Sequence, residues 1–535
     1  MADSSGQATR GNRVTSDRDA QVIVIGAGHN GLICAAYLAK AGHDVLLIEA
    51  RADVGGLAST VSDLGARFNI CNCDHNMIRA NPLLEELDLA GFGLSYLEPE
   101  PSFVNMLWSG AEPWLSFYDV DRTLTALAKT RPDQVENYRR YLESAVPVAE
   151  LLVEVAAVKP SAPQLISSVM RRRAKGASTL LRWSRSSAIE VMRSFFDDDT
   201  MIMPGISVGP TVWGAPPDAK GTGLAAAGYA MRHTVHTGRP VGGSGALTDA
   251  VRDAFVSSGG VVRCNTRVET MLIENAKAVG VVLDSGEQLR ADLVIAACDP
   301  RIVLGEWITG ESKRARPTTA KWRNQPVLDG YESKVDAVVS ALPRYSALEA
   351  IADQFGDDDP LEPTSVIAPS FDDVMEAHTL LAEGEVAERP TLLVNFPSVL
   401  DDSMRTVDGH HIMSLEALFT PYAVKGGWPS SDEPLRWMTK WAELVQPGFL
   451  DHVIDWRAMT PDRYETEFEM YRGHTPSYAG SPIGALLGRN RELTRYDTPI
   501  EGLMLTGAGT YPGAGVWGAS GRNAASTATK KLRRR

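Results

Sequence analysis

Three glycines, Gly26, Gly28 and Gly31, stand at the spacing G-x-G-x-x-G directly behind a β-branched run, QVIVI at 21–25. Residues of this type and spacing bind rather than react. Gly26 permits a tight turn, Gly28 lets a pyrophosphate come close to the backbone, and Gly31 lets a following helix pack flush on the strand. That helix, predicted over 32–41, offers unpaired N–H groups and about half a positive charge to a diphosphate. A second strand at 45–48 ends in Glu49, whose carboxylate suits the hydroxyls of an adenosine ribose and disfavours a 2′-phosphate. Strand, turn, helix, strand and acid in this order read as a dinucleotide site.

The next residues bear on which dinucleotide. Arg51 with Gly55 and Gly56, in ARADVGG, forms a second glycine-rich approach just past the ribose carboxylate. This extension resembles the one in FAD-binding proteins of the glutathione-reductase type. Far downstream, 502–506 reads as a strand entering a loop with glycines at 507, 509, 513, 515 and 518, followed by a helix of small residues. Such a helix can aim its N-terminus at a flavin ring and stabilise the charge that appears on reduction. Between these ends, GGSGAL at 242–247 opens a helix over 246–256. Turns at 274–277 and 284–286 then mark successive strands returning to the first sheet.

Together with HNMIRANPLLEELDLAGFGL from His75, these segments resemble the phytoene desaturase-like branch of the FAD-dependent amine oxidase and GDP-dissociation-inhibitor superfamily, from about residue 20 to about 530. The resemblance implies FAD, held by Gly26, Gly28, Gly31, Glu49, Arg51, Gly55, Gly56 and, on the adenine side, Val268. The loop carrying Gly507, Gly509, Gly513 and Gly515 is then expected near the flavin ring. Amine oxidases usually carry an acid in that loop, whereas here it reads GAGT, similar to the desaturases. The implied activity is an FAD-dependent desaturase or dehydrogenase that moves hydride between an apolar or polyene-like substrate and flavin N5, in either direction. An amine oxidase, or a non-catalytic carrier of the GDP-dissociation-inhibitor type, stands as the alternative.

The elements that must position these residues read as an α/β protein. A glutathione-reductase-type Rossmann domain is expected from 20–105, 240–305 and 490–530. A discontinuous mixed α+β substrate domain is expected from 106–239 and 306–489, with tails at 1–19 and 531–535. The segment 131–196 is rich in helix formers, and TLLVNF at 391–396 is strand-like. A site between the two units follows the common placement of ligands. No second nucleotide motif is evident, so electrons are expected to leave for a diffusing acceptor: oxygen, a quinone or transiently bound NAD(P).

A length of 535 residues and 44% apolar composition allow a large core, and a formal charge of −14 opposes a nucleic-acid partner. No run reaches the roughly 18 apolar residues that span a bilayer, so a cytoplasmic protein is expected. The arginine-rich stretch 169–196 and the basic 530–535 are candidates for peripheral membrane contact, or else a solvated helix and a solvated tail. Five scattered cysteines suit reduced thiols, and Cys71 with Cys73 lacks a second ligand pair, so no metal is expected. Hydride transfer can proceed by alignment alone. His75, His233 and His474 are candidate proton acceptors, each with a structural role as the competing reading. The oligomeric state is not encoded in these patterns.

Overall fold

The computed structural model describes residues 18–71, 73–171, 175–208, 215–326, 330–474 and 490–534. The expected tail at 1–19 lies outside the described residues except for 18 and 19, as does Arg535 of the basic end.

Two seven-stranded sheets organise the chain. In the first, the strand Ala20–Ile25 is central and pairs in parallel with Val45–Ile48 on one side and Gln288–Ala296 on the other. Val261–Arg263 and Leu503–Leu505 extend it in parallel, while Val268–Glu274 and Lys277–Leu283 join as antiparallel ribbons. The central strand is buried on both faces, which accounts for its unbroken apolar run. Helix His29–Lys40 lies against helices Gly245–Ser257 and Ala519–Leu532, and the three share one apolar core with the sheet.

The second sheet runs Val453–Met459, Tyr331–Val339, His411–Thr420, Leu392–Asn395, Thr364–Ala368, Phe103–Leu107 and Trp114–Ser116, neighbour to neighbour. Its strand Phe103–Leu107 straddles the unit boundary expected at 105 and pairs in parallel with Thr364–Ala368. One face carries Val335, Ala337, Val339, Leu415 and Leu392, packed against Trp437, Trp441 and Phe449. The other face is polar and nevertheless buried, as described below.

Among the described residues, helices dominate from Val120 to Ile206, in keeping with the helix formers of 131–196. The arginine-rich stretch is several short helices rather than one. Gly176, with φ +79°, starts Ala177–Trp183, and a Ser187–Glu190 capping box starts Ala188–Arg193. Leu180, Trp183, Ile189, Val191 and Met192 point into the core, whereas Leu181 is exposed. Residues 172–174 of this stretch lie outside the described residues. Among the described residues no helix is long and apolar enough to cross a membrane.

Candidate functional site: two glycine loops and a buried polar sheet face

The first glycine loop is built as its spacing demands. Gly26 has φ +93°, a conformation that L side chains rarely adopt, and a Cβ on Gly31 would fall 1.9 Å from the Gly26 carbonyl oxygen. A Cβ on Gly28, by contrast, would meet nothing within 4 Å, and Gly28 caps the helix without any side-chain bond. Open space therefore faces the start of the helix, where a diphosphate fits. Glu49 is buried; one carboxylate oxygen accepts from the Ala27 N–H at 2.7 Å and the other from the Arg51 N–H at 2.9 Å.

The second glycine approach lies against the first. Gly55 bridges Gly28, its N–H donating to the Ala27 carbonyl at 2.8 Å, and Gly56 has φ +56°. The Arg51 guanidinium stacks on Phe468 at 4.1 Å. Buried Val268 begins its strand two residues past Thr266, whose N–H donates to the Glu49 carbonyl at 2.9 Å.

The C-terminal loop converges on the same place through Ala297. The carbonyl oxygen of Ala297 is 3.4 Å from where a Cβ would stand on Gly26 and 3.1 Å from the corresponding point on Gly507. Hydroxyls stabilise the loop: Ser520 Oγ lies 2.8 Å from Thr506 Oγ1 and 2.6 Å from Thr510 Oγ1, and it accepts from the Gly507 N–H at 3.1 Å. Gly509 and Gly513 are buried and Gly515 is exposed. Tyr511 donates to the Val155 carbonyl at 3.1 Å, and Trp517 to that of Ala514 at 2.8 Å.

His29, an "x" of the fingerprint that sequence reasoning passed over, bonds to the Gly515 backbone and so ties the two loops together; burial pushes its pKa down to about 4. Position alone would have flagged it, since a side chain there must project between helix start and ligand.

The three histidine candidates are not brought together. Buried His75 is held on both nitrogens, Nδ1 at 3.2 Å from Tyr96 Oη and Nε2 at 3.1 Å from Ser244 Oγ. Burial, then the neighbouring His29, lowers its pKa to about 3, so it is neutral. His233 follows the helix Gly228–Arg232 and lies between Tyr138 Oη, at 2.9 Å, and the Tyr118 carbonyl, at 3.0 Å; burial lowers its pKa too. His474 is buried with Nδ1 3.3 Å from the Gly330 carbonyl.

Sequence reasoning missed the largest concentration of charge. Glu332, Lys334 and Asp336 alternate along one strand of the second sheet; Lys334 stands opposite Glu416, and Asp336 opposite both Ser414 and Arg457. All five charged residues are 8% exposed or less. The described residues of 60–71 and 73–75 cover them. Lys334 donates to the Asn69 carbonyl and pairs with Asp336 at 2.9 Å, while Cys71 donates to Glu332 at 3.1 Å and Cys73 to Asn395 at 3.7 Å. Asp74 takes Arg239 Nε at 2.7 Å in a buried ion pair, and Arg457 bonds Asp336 at 3.0 Å.

Asn69 links this face to the glycine loops, its side-chain oxygen accepting from Thr60 at 2.9 Å and from the Ser244 N–H at 2.8 Å. Burial, then the Glu332 carboxylate, pushes the Glu416 pKa up to about 8 against the opposing pull of Lys334, a shift that favours its protonated form. Burial also raises the Cys71 thiol. No group of three or more His, Cys, Asp or Glu residues poised for a metal occurs among the described residues.

Two loops closing on a helix start, with a carboxylate beside it, suit a dinucleotide, and Asn69 connects them to a buried polar face. Over residues 31–528 the sequence matches the family model of flavin containing amine oxidoreductase. The chain belongs to this family. It is accordingly an FAD-dependent oxidoreductase.

Among curated relatives, the flavoenzyme is 26% identical to pyridine nucleotide-disulfide oxidoreductase domain-containing protein 2 of Rattus norvegicus, over 96% of this chain and 93% of that one. It is also 26% identical to a subunit of limonene dehydrogenase from Castellaniella defragrans, over 96% and 95%, and 24% identical to the lycopene-forming phytoene desaturase of Paracoccus sp., over 93% and 95%. Wild-type putrescine oxidase bound to putrescine shares the fold at TM-score 0.60 with 17% identity, covering 96% of this chain and 99% of that one.

Proposed function

We propose that this flavoenzyme is a dehydrogenase or desaturase that takes hydride from an apolar, polyene-like hydrocarbon. The observation that carries the reading is the likeness, along nearly the whole chain, to limonene dehydrogenase and to phytoene desaturases, proteins named for hydrocarbon substrates. The site supports it. The final glycine loop is held by the hydroxyls of Thr506, Thr510 and Ser520, with no carboxylate in its GAGT turn to receive an ammonium group. Glu416, the acid opposite Lys334 on the buried sheet face, is shifted toward its protonated, uncharged form.

In this reading a glutathione-reductase-type Rossmann unit of 20–105, 240–305 and 490–530 holds FAD. Gly26, Gly28 and Gly31 accept the diphosphate, Glu49 takes the ribose, Arg51, Gly55, Gly56 and Val268 line the adenylate half, and the loop from Gly507 to Gly515 takes the ring. The segments 106–239 and 306–489 form the substrate unit. FAD, when bound, supplies the hydride acceptor. The protein's residues orient the substrate, keep water out and hold the local charge near neutral; neutral His75, fixed by Tyr96 and Ser244, is a positioning residue rather than a base. Electrons pass on to a diffusing oxygen, quinone or NAD(P).

The test is the absorbance spectrum of the purified protein, taken before and after anaerobic addition of polyenes, monoterpene hydrocarbons, steroids and amines. Bleaching of the flavin by a hydrocarbon supports the proposal. Bleaching by an amine alone, with peroxide released on readmission of air, replaces it with an amine oxidase.

A further inference from the structure

Positive charge is concentrated at one place in this acidic chain. A cavity of about 990 Å³ opens beside the C-terminal helix Ala519–Leu532 and the turn that follows the long helix Val135–Ala156. Six cations line it, Lys159, Arg522, Lys530, Lys531, Arg533 and Arg534, against two carboxylates, Glu86 and Asp497. Both carboxylates are already engaged: Glu86 by Arg522 at 2.6 Å and Asp497 by Lys531. The remaining cations are thus an excess in a chain whose formal charge is −14.

Lys159 makes the excess costly. It is half-buried, its ammonium group donates to the Thr527 hydroxyl at 3.3 Å, and among the described residues no carboxylate lies within ion-pair distance of it. Burial lowers its pKa, and the like charges of Arg495, Lys530 and Lys531 lower it further against the opposing pull of Asp497, whose carboxylate is itself engaged by Lys531. A half-buried cation repelled by its neighbours gains most from a multivalent anion. Hydroxyl side chains line the same cavity, those of Ser526, Ser161, Thr527 and Thr529, the last two donating to the Asn523 and Ala525 carbonyls of their own helix. Cations set among hydroxyls suit a phosphoryl group, which offers several acceptor oxygens and one negative charge as a diester or about two as a monoester. The cavity is far larger than one phosphate, so the group is expected at the end of a larger molecule.

We infer that this cavity is a binding site for a phosphoryl-bearing ligand, separate from the glycine loops. The phosphoryl group can come from a free phosphate ester or from the headgroup of an anionic lipid, and both are tested on the FAD-loaded protein. Calorimetric titration with inorganic pyrophosphate and with 2′,5′-ADP at low salt is expected to give one site per chain, weakening as salt is raised. Co-sedimentation with phosphatidylcholine vesicles, with and without phosphatidylglycerol, tests the lipid source.

Lys159→Gln and Lys530→Gln are each expected to weaken the productive arm at least about tenfold. The exposed control Arg263→Gln, paired to Glu287 elsewhere on the surface, should leave binding unchanged. Binding of the soluble phosphates that is lost in the two lysine variants identifies a free ester. Binding only to anionic vesicles, with the same loss, identifies a headgroup. Absence of both, or binding that the lysine variants leave intact, overturns the proposal. Flavin content, read at its visible absorbance, verifies that each variant is folded.

Discussion

Replacing Glu416 with glutamine should alter how the stability of this protein depends on pH. In the folded chain burial and Glu332 hold Glu416 protonated up to about pH 8, whereas in the unfolded chain it ionises near 4.5. Below pH 4.5 the group is neutral in both states. As pH rises between the two values, the unfolded state gains by releasing the proton, so the folded state loses about 1.4 kcal/mol per pH unit.

From pH 5 to 8 the loss approaches about 4 kcal/mol. With an unfolding entropy of about 2.1 cal/mol/K per residue, or about 1.1 kcal/mol/K for a chain of this length, that corresponds to about 4 °C in Tm. Glutamine keeps the shape and cannot ionise. Melting curves of the FAD-loaded wild type and Glu416→Gln at half-unit steps from pH 5 to 8.5 should therefore diverge, the variant gaining about 4 °C on the wild type by pH 8. Parallel curves would refute the reasoning, since they would mean that Glu416 carries its charge in the folded state or lies in water.

The two fingerprint glycines should fail differently. Gly31→Ala drives a Cβ into the Gly26 carbonyl and should abolish soluble folded protein, whereas Gly28→Ala fills only open space and should fold normally while its FAD dissociation constant rises at least about tenfold, as measured by flavin release on dilution. Arg239→Met strands the buried Asp74 carboxylate and should cost about 3–5 kcal/mol in denaturant unfolding. His75→Gln can keep a bond to Ser244, and the pH profile of anaerobic flavin reduction should keep its shape; loss of an ionisation between pH 6 and 7 would make His75 the base after all.

The sequence carried the first sheet clearly, because buried parallel strands read as apolar runs and glycine turns have fixed spacing. Residues 21–25, 45–48 and the strands around the turns at 274–277 and 284–286 fall where their patterns put them. The polar face of the second sheet was invisible for a specific reason. In ESKVDAVV, the charged residues alternate at 332, 334 and 336, the usual signature of a strand with one face in water. Here the described residues of 60–71 and 73–75 lie over that face, and no local pattern announces a cover some 260 residues away in sequence. The arginine-rich stretch misled in the opposite way. It reads as one amphipathic element because its apolar residues recur throughout, although the local capping box Ser187–Glu190 and the left-handed Gly176 each start a new helix. His29 was overlooked because the fingerprint constrains only its glycines.

Ala297 touches both glycine loops, and those loops stand at opposite ends of the chain. During synthesis the N-terminal loop leaves the ribosome long before its C-terminal partner exists. A cofactor held by both loops, as proposed, therefore gains its second wall only after residues 507–515 are made, and the strand and helix of 20–40 must persist without it until then. Binding there then draws the folding equilibrium forward, as any ligand of the folded state does. A chain terminated before Gly507 would lack both that loop and the helix Ala519–Leu532 that packs on His29–Lys40, and is expected to be colourless.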